Sequence, residues 1–261
     1  MEDIVELKPL LKRLRMSGVL EDLEATFQDA MERKWSHSQL LAHLFSREAD
    51  RRDHKKYCYR LSRSKLDPRK TFEKFDFSFN RNVSEPVMRE LARCEFMDKQ
   101  QNILLVGPSG VGKTHLANAI GQEACRRGRS VLMDRASEML KWLHAGEGDG
   151  SFTKRMEALM ETELLVFDDF GLIPLPPNQQ ISLYEIICAR YEKVSTIITS
   201  NRDFAEWMGV FENPLLGSAV MDRLVHKAIK LTIEGDSFRC SNFTATQKEV
   251  LEKVANPSGG G

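Results

Sequence analysis

Apolar residues recur at helical spacing through the first 66 positions and then give way to short unbroken runs. Leu7, Leu11 and Leu14 mark one face of a first helix, and Gly18 is expected to break it. Leu20, Leu23, Phe27 and Met31 mark a second. Ser36 with Gln39 three residues on has the form of a capping box, opening a third helix through Leu40 and Leu44. That helix turns basic: from Arg51 to Lys70 there are nine Lys or Arg against two acids, with Tyr57 and Tyr59 among them. The stretch DPRKTFEKFDFSFNRN (67–82) reads as a linker. Beyond it lie five strand candidates: NILLV (102–106), SVLMD (130–134), ELLVF (163–167), STIIT (195–199) and AIKLTI (228–233). Runs of this kind, alternating with amphipathic stretches, predict a parallel sheet with helices on both faces. The fold class is therefore α/β. A helical unit is expected at 1–66, a linker region at 67–100, the sheet-bearing core at 101–245 and a flexible tail at 246–261, its end NPSGGG resembling a tag or scar.

Composition narrows the picture only in places. With 261 residues, 41% of them hydrophobic, the chain can bury one sizeable core and a small additional domain. The formal net charge is zero, so only the distribution of charge can speak for a nucleic-acid partner. Five cysteines (Cys58, Cys94, Cys125, Cys188 and Cys240) form no C-x-x-C pair and leave an odd number, which predicts reduced thiols in a cytoplasmic protein. The six histidines have no metal-ligand spacing. No apolar run approaches the ~18 residues of a membrane span, and the acidic start MEDIVE is unlike a signal peptide.

The chemistry is concentrated in GPSGVGKT (107–114), set between the first strand and a helical run. Gly107, Gly110 and Gly112 let backbone N–H groups of this loop, which also holds Pro108, Ser109 and Val111, wrap phosphate oxygens, and Lys113, Thr114 and His115 open the helix whose positive end assists. Lys113 is placed to reach the β and γ phosphates of ATP, and the Thr114 hydroxyl suits Mg²⁺. LLVFDDFG (164–171) drives an apolar strand into two adjacent acids, about 55 residues after the loop. Asp168 is expected to face Mg²⁺ and Asp169 to polarise the attacking water; taken alone, the pair also fits a turn or helix cap. Asn201, ending STIITSN, is placed to hold that water, or simply to close a strand-end turn. Arg223, in SAVMDRLVHKA, is a candidate arginine finger reaching a neighbouring subunit, or a solvated side chain; Arg190 and Arg202 are weaker candidates.

Two stretches are candidates for DNA. Arg51, Arg52, Lys55, Lys56, Tyr59, Arg60 and Arg63 form a basic stripe on the third helix, with a solvated face as the plain alternative. HAGEGDGSFTKR (144–155) reads as a glycine-rich loop carrying Lys154 and Arg155, either a DNA contact or a surface loop. Phe72, Phe75, Phe77 and Phe79 are expected to pack a domain junction rather than to stack bases.

The phosphate loop, LLVFDDFG, TSN and MDRL, in this order, resemble AAA+ ATPases of the initiator and helicase-loader branch. LLKRLRMSGVLEDLEA and FDFSFNRNV narrow the resemblance to IstB-type helper ATPases of insertion sequences. It implies strand order 5-1-4-3-2, no C-terminal helical lid, and motif roles for Lys113, Thr114, Asp168, Asp169, Asn201 and Arg223. It also implies a homo-oligomer with ATP between subunits, assembled on duplex DNA largely regardless of sequence, that recruits and stimulates a cognate transposase. One residue departs from the pattern: Asp169 stands where a glutamate is usual. The rival readings are a DnaC-like helicase loader, a small-metabolite kinase, and a DNA-binding module that uses ATP only as a switch.

Overall fold

The computed structural model describes residues 2–79, 83–235 and 237–238, with side chains from Glu6 onward. The expected tail, Cys240 and the linker positions 80–82 lie outside the described residues. The chain divides into two compact units, Met1–Tyr59 and Arg60–Gly261. No helix among the described residues is long and apolar enough to cross a membrane.

The first unit contains α1 (Glu2–Arg13), α2 (Ser17–Glu21), α3 (Leu23–Glu32) and most of α4 (His37–Ser64). Val19, Leu23 and Leu44 form its core, with Leu7, Leu11, Met16, Phe27 and Leu40 packed against them. The capping box closes as expected: Ser36 N–H donates to Gln39 Oε1 (2.8 Å) and Gln39 N–H to Ser36 Oγ (3.3 Å). The break after α1 does not fall at Gly18. It falls at Leu14–Met16, where Arg15 adopts φ 56°, and Gly18 lies within α2. Gly18 is needed for space, because a Cβ there would meet Glu48 Oε2 at 3.0 Å and the Arg47 carbonyl at 3.1 Å. Its N–H donates to Glu48 Oε2 (2.7 Å), and Arg52 Nε donates to Glu48 Oε1 (2.6 Å). Burial pushes the Glu48 carboxyl upward, but these donors outweigh it and hold the group below the usual carboxylate range. Met31 is exposed; α3 buries Leu23, Thr26 and Ala30 instead.

The second unit begins with a short 3-10 turn at Phe72–Lys74 and the helices α5 (Glu85–Leu91) and α6 (Glu95–Asp98). Strands and helices then alternate: β1 (Ile103–Val106), α7 (Lys113–Arg126), β2 (Val131–Arg135), α8 (Ala136–Asp149), α9 (Phe152–Glu161), β3 (Leu164–Asp168), α10 (Pro177–Arg190), β4 (Ser195–Ser200), α11 (Pro214–Val225) and β5 (Ile229–Thr232). All strand pairings are parallel and the order is β2-β3-β4-β1-β5, the expected 5-1-4-3-2 read from the other edge. This is the AAA+ P-loop fold. Every residue of β1, β3 and β4 is buried, which is why they carry the apolar runs ILLV, LLVF and II, although β3 ends on Asp168 and Ser and Thr flank the isoleucines of β4. Residues 144–155 are not a loop. They form the end of α8 and the start of α9, joined at Gly150, which takes φ 72°. Cys58, Cys94, Cys125 and Cys188 are free thiols, and burial pushes Cys94 and Cys125 up to about 11.

Candidate nucleotide-binding site

Parallel register brings the ends of four strands to one edge, pairing Val106 with Ser200 and Arg135 with Asp168. The chain leaves β1 at Gly107 and enters α7 at Lys113; Gly107, Gly110 and Gly112 all have positive φ. At Gly112 two constraints coincide: φ is 101°, and a Cβ would meet the Phe75 ring at 2.6 Å. Such a run, capped by a helix N-terminus, suits anionic oxygens. Lys113 is buried, and its Nζ donates to the carbonyls of Gly107 (2.8 Å) and Pro108 (2.6 Å) and to Asn201 Oδ1 (2.6 Å).

The two acids have different surroundings. Asp168 is buried, and its Oδ1 accepts from Thr114 Oγ1 (2.8 Å) and from Thr199 Oγ1 (2.5 Å). Asp169 takes φ 52°, which turns it out of the strand; its N–H donates to Thr199 Oγ1 (3.1 Å), and its Oδ2 lies 3.7 Å from Arg135 Nε. The sequence alone assigns no role to Thr199, a hydroxyl near the end of β4, or to Arg135, the cation closing β2; only the register places them beside the acids.

The Thr114 hydroxyl and the Asp168 carboxylate are hard oxygens at hydrogen-bond distance from each other, and they fit Mg²⁺, which keeps most of its water ligands. Among the described residues no cluster of three or more His, Cys, Asp or Glu offers a transition-metal site.

A cavity of about 830 Å³ joins the phosphate loop, Asp168, Asp169 and Asn201 to Lys70, Lys74, Phe75, Phe79 and Phe238. Its far wall is fastened to α7. His115 Nε2 donates to the Thr71 carbonyl (2.7 Å), and Gln122 Nε2 donates to the carbonyls of Asp67 and Lys70 (2.9 Å each). Phe75 meets Phe77 and His115 edge-on, at 4.8 and 5.3 Å between centroids, and Phe79 meets Phe238 edge-on at 5.0 Å. Two of the four aromatics expected at a domain junction, Phe75 and Phe79, thus line this cavity. Nearby, hydrogen bonds from Arg69 hold the Asp67 carboxyl down at about 2.

The candidate arginines separate clearly. Arg190 is buried and bonded throughout, with Nε donating to Thr196 Oγ1, Nη1 to the carbonyls of Leu159 and Thr162, and Nη2 to that of Ser195, so it is a structural staple and no finger. Arg202 is exposed beside Gly171. Arg223 is part-exposed on α11 and does not line the cavity. Of the cations expected to meet DNA, Arg51, Arg52 and Lys56 are paired with Glu21, Glu48 and Asp53 inside the first unit. Lys55, Tyr59, Arg63 and Lys154 are exposed, and Arg60 is part-buried beside Gly128. Arg155 is held by Asp149 (2.8 Å) and lies 5.1 Å over the Trp142 ring.

The model of the IstB-like ATP binding protein family matches residues 9–245. The chain is 32% identical over 252 residues to the protein of insertion sequence IS21 from Pseudomonas aeruginosa, covering 97% of this chain and 94% of the relative. It is 34% identical over 227 residues to that of IS5376 from Geobacillus stearothermophilus, covering 87% and 90%. Among solved structures, the DnaC helicase loader superposes with a TM-score of 0.51 at 25% identity, covering 57% of this chain and 86% of that one. With its phosphate loop and paired acids on the sheet edge, and a family match spanning both units, the chain belongs to the IstB-like ATP-binding protein family.

Proposed function

We propose that this protein is an ATP-hydrolysing helper of DNA transposition that oligomerises on duplex DNA and recruits and stimulates its transposase. The observation that carries the reading is the convergence of the phosphate loop, Asp168, Asp169 and Asn201 on one cavity. The phosphates lie along Gly107–Thr114, with the base between Phe75 and the Phe79–Phe238 pair. Lys113 exchanges its carbonyl partners for phosphate oxygens, and its bond to Asn201 ties that amide to the γ-phosphate end. Thr114 and Asp168 would hold Mg²⁺, which would neutralise charge gathering on the phosphate oxygens. Asn201 orients a water, Asp169 takes its proton as the oxygen attacks the γ-phosphorus, and ADP departs. Arg223, outside the cavity of its own subunit, completes the site of a neighbour.

DNA is held through phosphates by the exposed cations of α4 and by Lys154, so binding is largely independent of sequence. The test is the ATPase rate with and without duplex DNA, over a range of protein concentrations, for wild type and Arg223→Ala. DNA stimulation, lost in the variant, is expected; normal turnover of Arg223→Ala at every concentration removes the trans finger. The likeness to the DnaC loader favours one second reading, helicase loading. Affinity capture decides between them, with a transposase expected and a replicative helicase counting against the proposal.

A further inference from the structure

Several arginines at the surface of the second unit are paired with acids: Arg89 with Glu85, Arg126 with Glu123, Arg129 with Asp98 and Glu163, and Arg155 with Asp149. Arg223 is different. Among the described residues no carboxylate lies within ion-pair distance of it. Its guanidinium carbon instead lies 5.8 Å over the Tyr184 ring and 5.9 Å over the Tyr191 ring, and Nη1 donates to the Ala219 carbonyl one turn back (2.8 Å). Tyr184 and Tyr191 are seven residues apart, two turns of helix, so α10 and its C-cap present both rings on one side. The Tyr191 hydroxyl also bonds His226 Nδ1 (3.0 Å).

Resting on the trans reading of Arg223, we infer that Tyr184 and Tyr191 are positioning residues, a cradle that aims the guanidinium at a neighbour's γ-phosphate. Aromatic faces attract a cation without neutralising it, which a carboxylate partner would do. The guanidinium is therefore directed but still fully charged when an anion arrives. Its rotamer freedom is also largely spent before the subunits meet, so less is lost on engagement.

Two double variants test this. Tyr184→Leu with Tyr191→Leu removes both rings; Tyr184→Phe with Tyr191→Phe keeps them and removes only the hydroxyls. On duplex DNA the Leu pair should lose turnover on the order of 10²-fold, as for a misplaced catalytic group, while binding a fluorescent ATP analogue as wild type does. The Phe pair should stay within a few-fold of wild type. Mixing the Leu pair with Asp169→Asn subunits should restore turnover, because the latter bring an intact finger to an intact site. If Arg223→Ala is impaired but the Leu pair turns over normally, or the Phe pair fails as badly, the cradle is wrong and the finger stands. If Arg223→Ala is itself normal, the reading beneath it fails. Should the Leu pair not fold, Tyr184→Leu alone carries the same comparison and the same mixing test.

Discussion

Replacing Arg190 by methionine separates a structural role from a catalytic one. The guanidinium gathers the carbonyls of Leu159, Met160 and Thr162, at the end of α9, together with Ser195 O and Thr196 Oγ1 at the start of β4. The last carbonyls of a helix have no partner within it, so a cation there satisfies them and complements the helix dipole. Each hydrogen bond from a charged donor contributes about 1.5–3 kcal/mol, and the set is not additive. Burying the charge, which pulls the guanidinium down to about 9, offsets part of the gain. Methionine fills much of the volume but leaves the carbonyls without donors, for a net loss of about 3–5 kcal/mol. In a unit of this size that lowers Tm by about 6–20 °C. Scanning calorimetry measures it, alongside ATP turnover taken well below the variant's transition. Arg190→Lys should fall between, since it restores charge without the planar fork. An unchanged Tm with abolished turnover would refute the assignment and return Arg190 to the catalytic candidates.

Asp169→Asn should keep nucleotide affinity and DNA assembly while turnover falls about 10²–10⁴-fold, the usual contribution of a general base; phosphate release and an ATP-analogue titration check both halves, and full turnover would move the base elsewhere. Gly112→Ala forces a side chain into the left-handed region, costing about 1–2 kcal/mol, and drives its Cβ against Phe75. Nucleotide affinity should drop about tenfold or more, and wild-type affinity by calorimetric titration would show that the loop tolerates the change. Glu48 is held below its ordinary value, so its contribution to the first unit is complete above the unfolded pKa of about 4.3 and is lost as pH falls through the folded value. Glu48→Gln should flatten that acid limb in urea unfolding and cost about 1–3 kcal/mol at neutral pH; an identical pH dependence in both proteins would refute the coupling.

What could be read from the chain was what depends on local pattern. Strands buried on both faces favour apolar residues, so the runs ending at Val106, Phe167 and Ile198 stood out without any knowledge of their neighbours. The capping box at Ser36 is legible for the same reason, since its partners are three residues apart. Glycine misled twice because its helix propensity is an average over contexts. At Gly18 the approach of α4 demands a missing Cβ inside a helix. Near Gly146 and Gly148 tertiary packing keeps α8 helical: His144 bonds Ser182 on α10 (3.1 Å) and tilts against Phe152. Arg190 looked like an available cation because nothing local reveals that the end of α9 and the start of β4 converge on it.

The adjacent acids of LLVFDDFG pose the same difficulty in sharper form. In one dimension two neighbouring carboxylates repel, and nothing within the stretch separates them. In the fold they are separated before any ligand is considered. Asp168 continues the strand inward, onto the hydroxyls of Thr114 and Thr199. Asp169 leaves the strand through a positive φ, toward Arg135 and the cavity. That conformation costs an aspartate about 1–2 kcal/mol, and the bond from its N–H to Thr199 Oγ1 offsets part of the cost. One hydroxyl therefore fixes both acids, donating to the first and accepting from the backbone of the second. The separation of the two acids rests on a threonine 30 residues downstream, brought alongside only because β4 lies next to β3 in the sheet. No motif within LLVFDDFG contains that information, and so the pair of acids was legible while the means of keeping them apart was not.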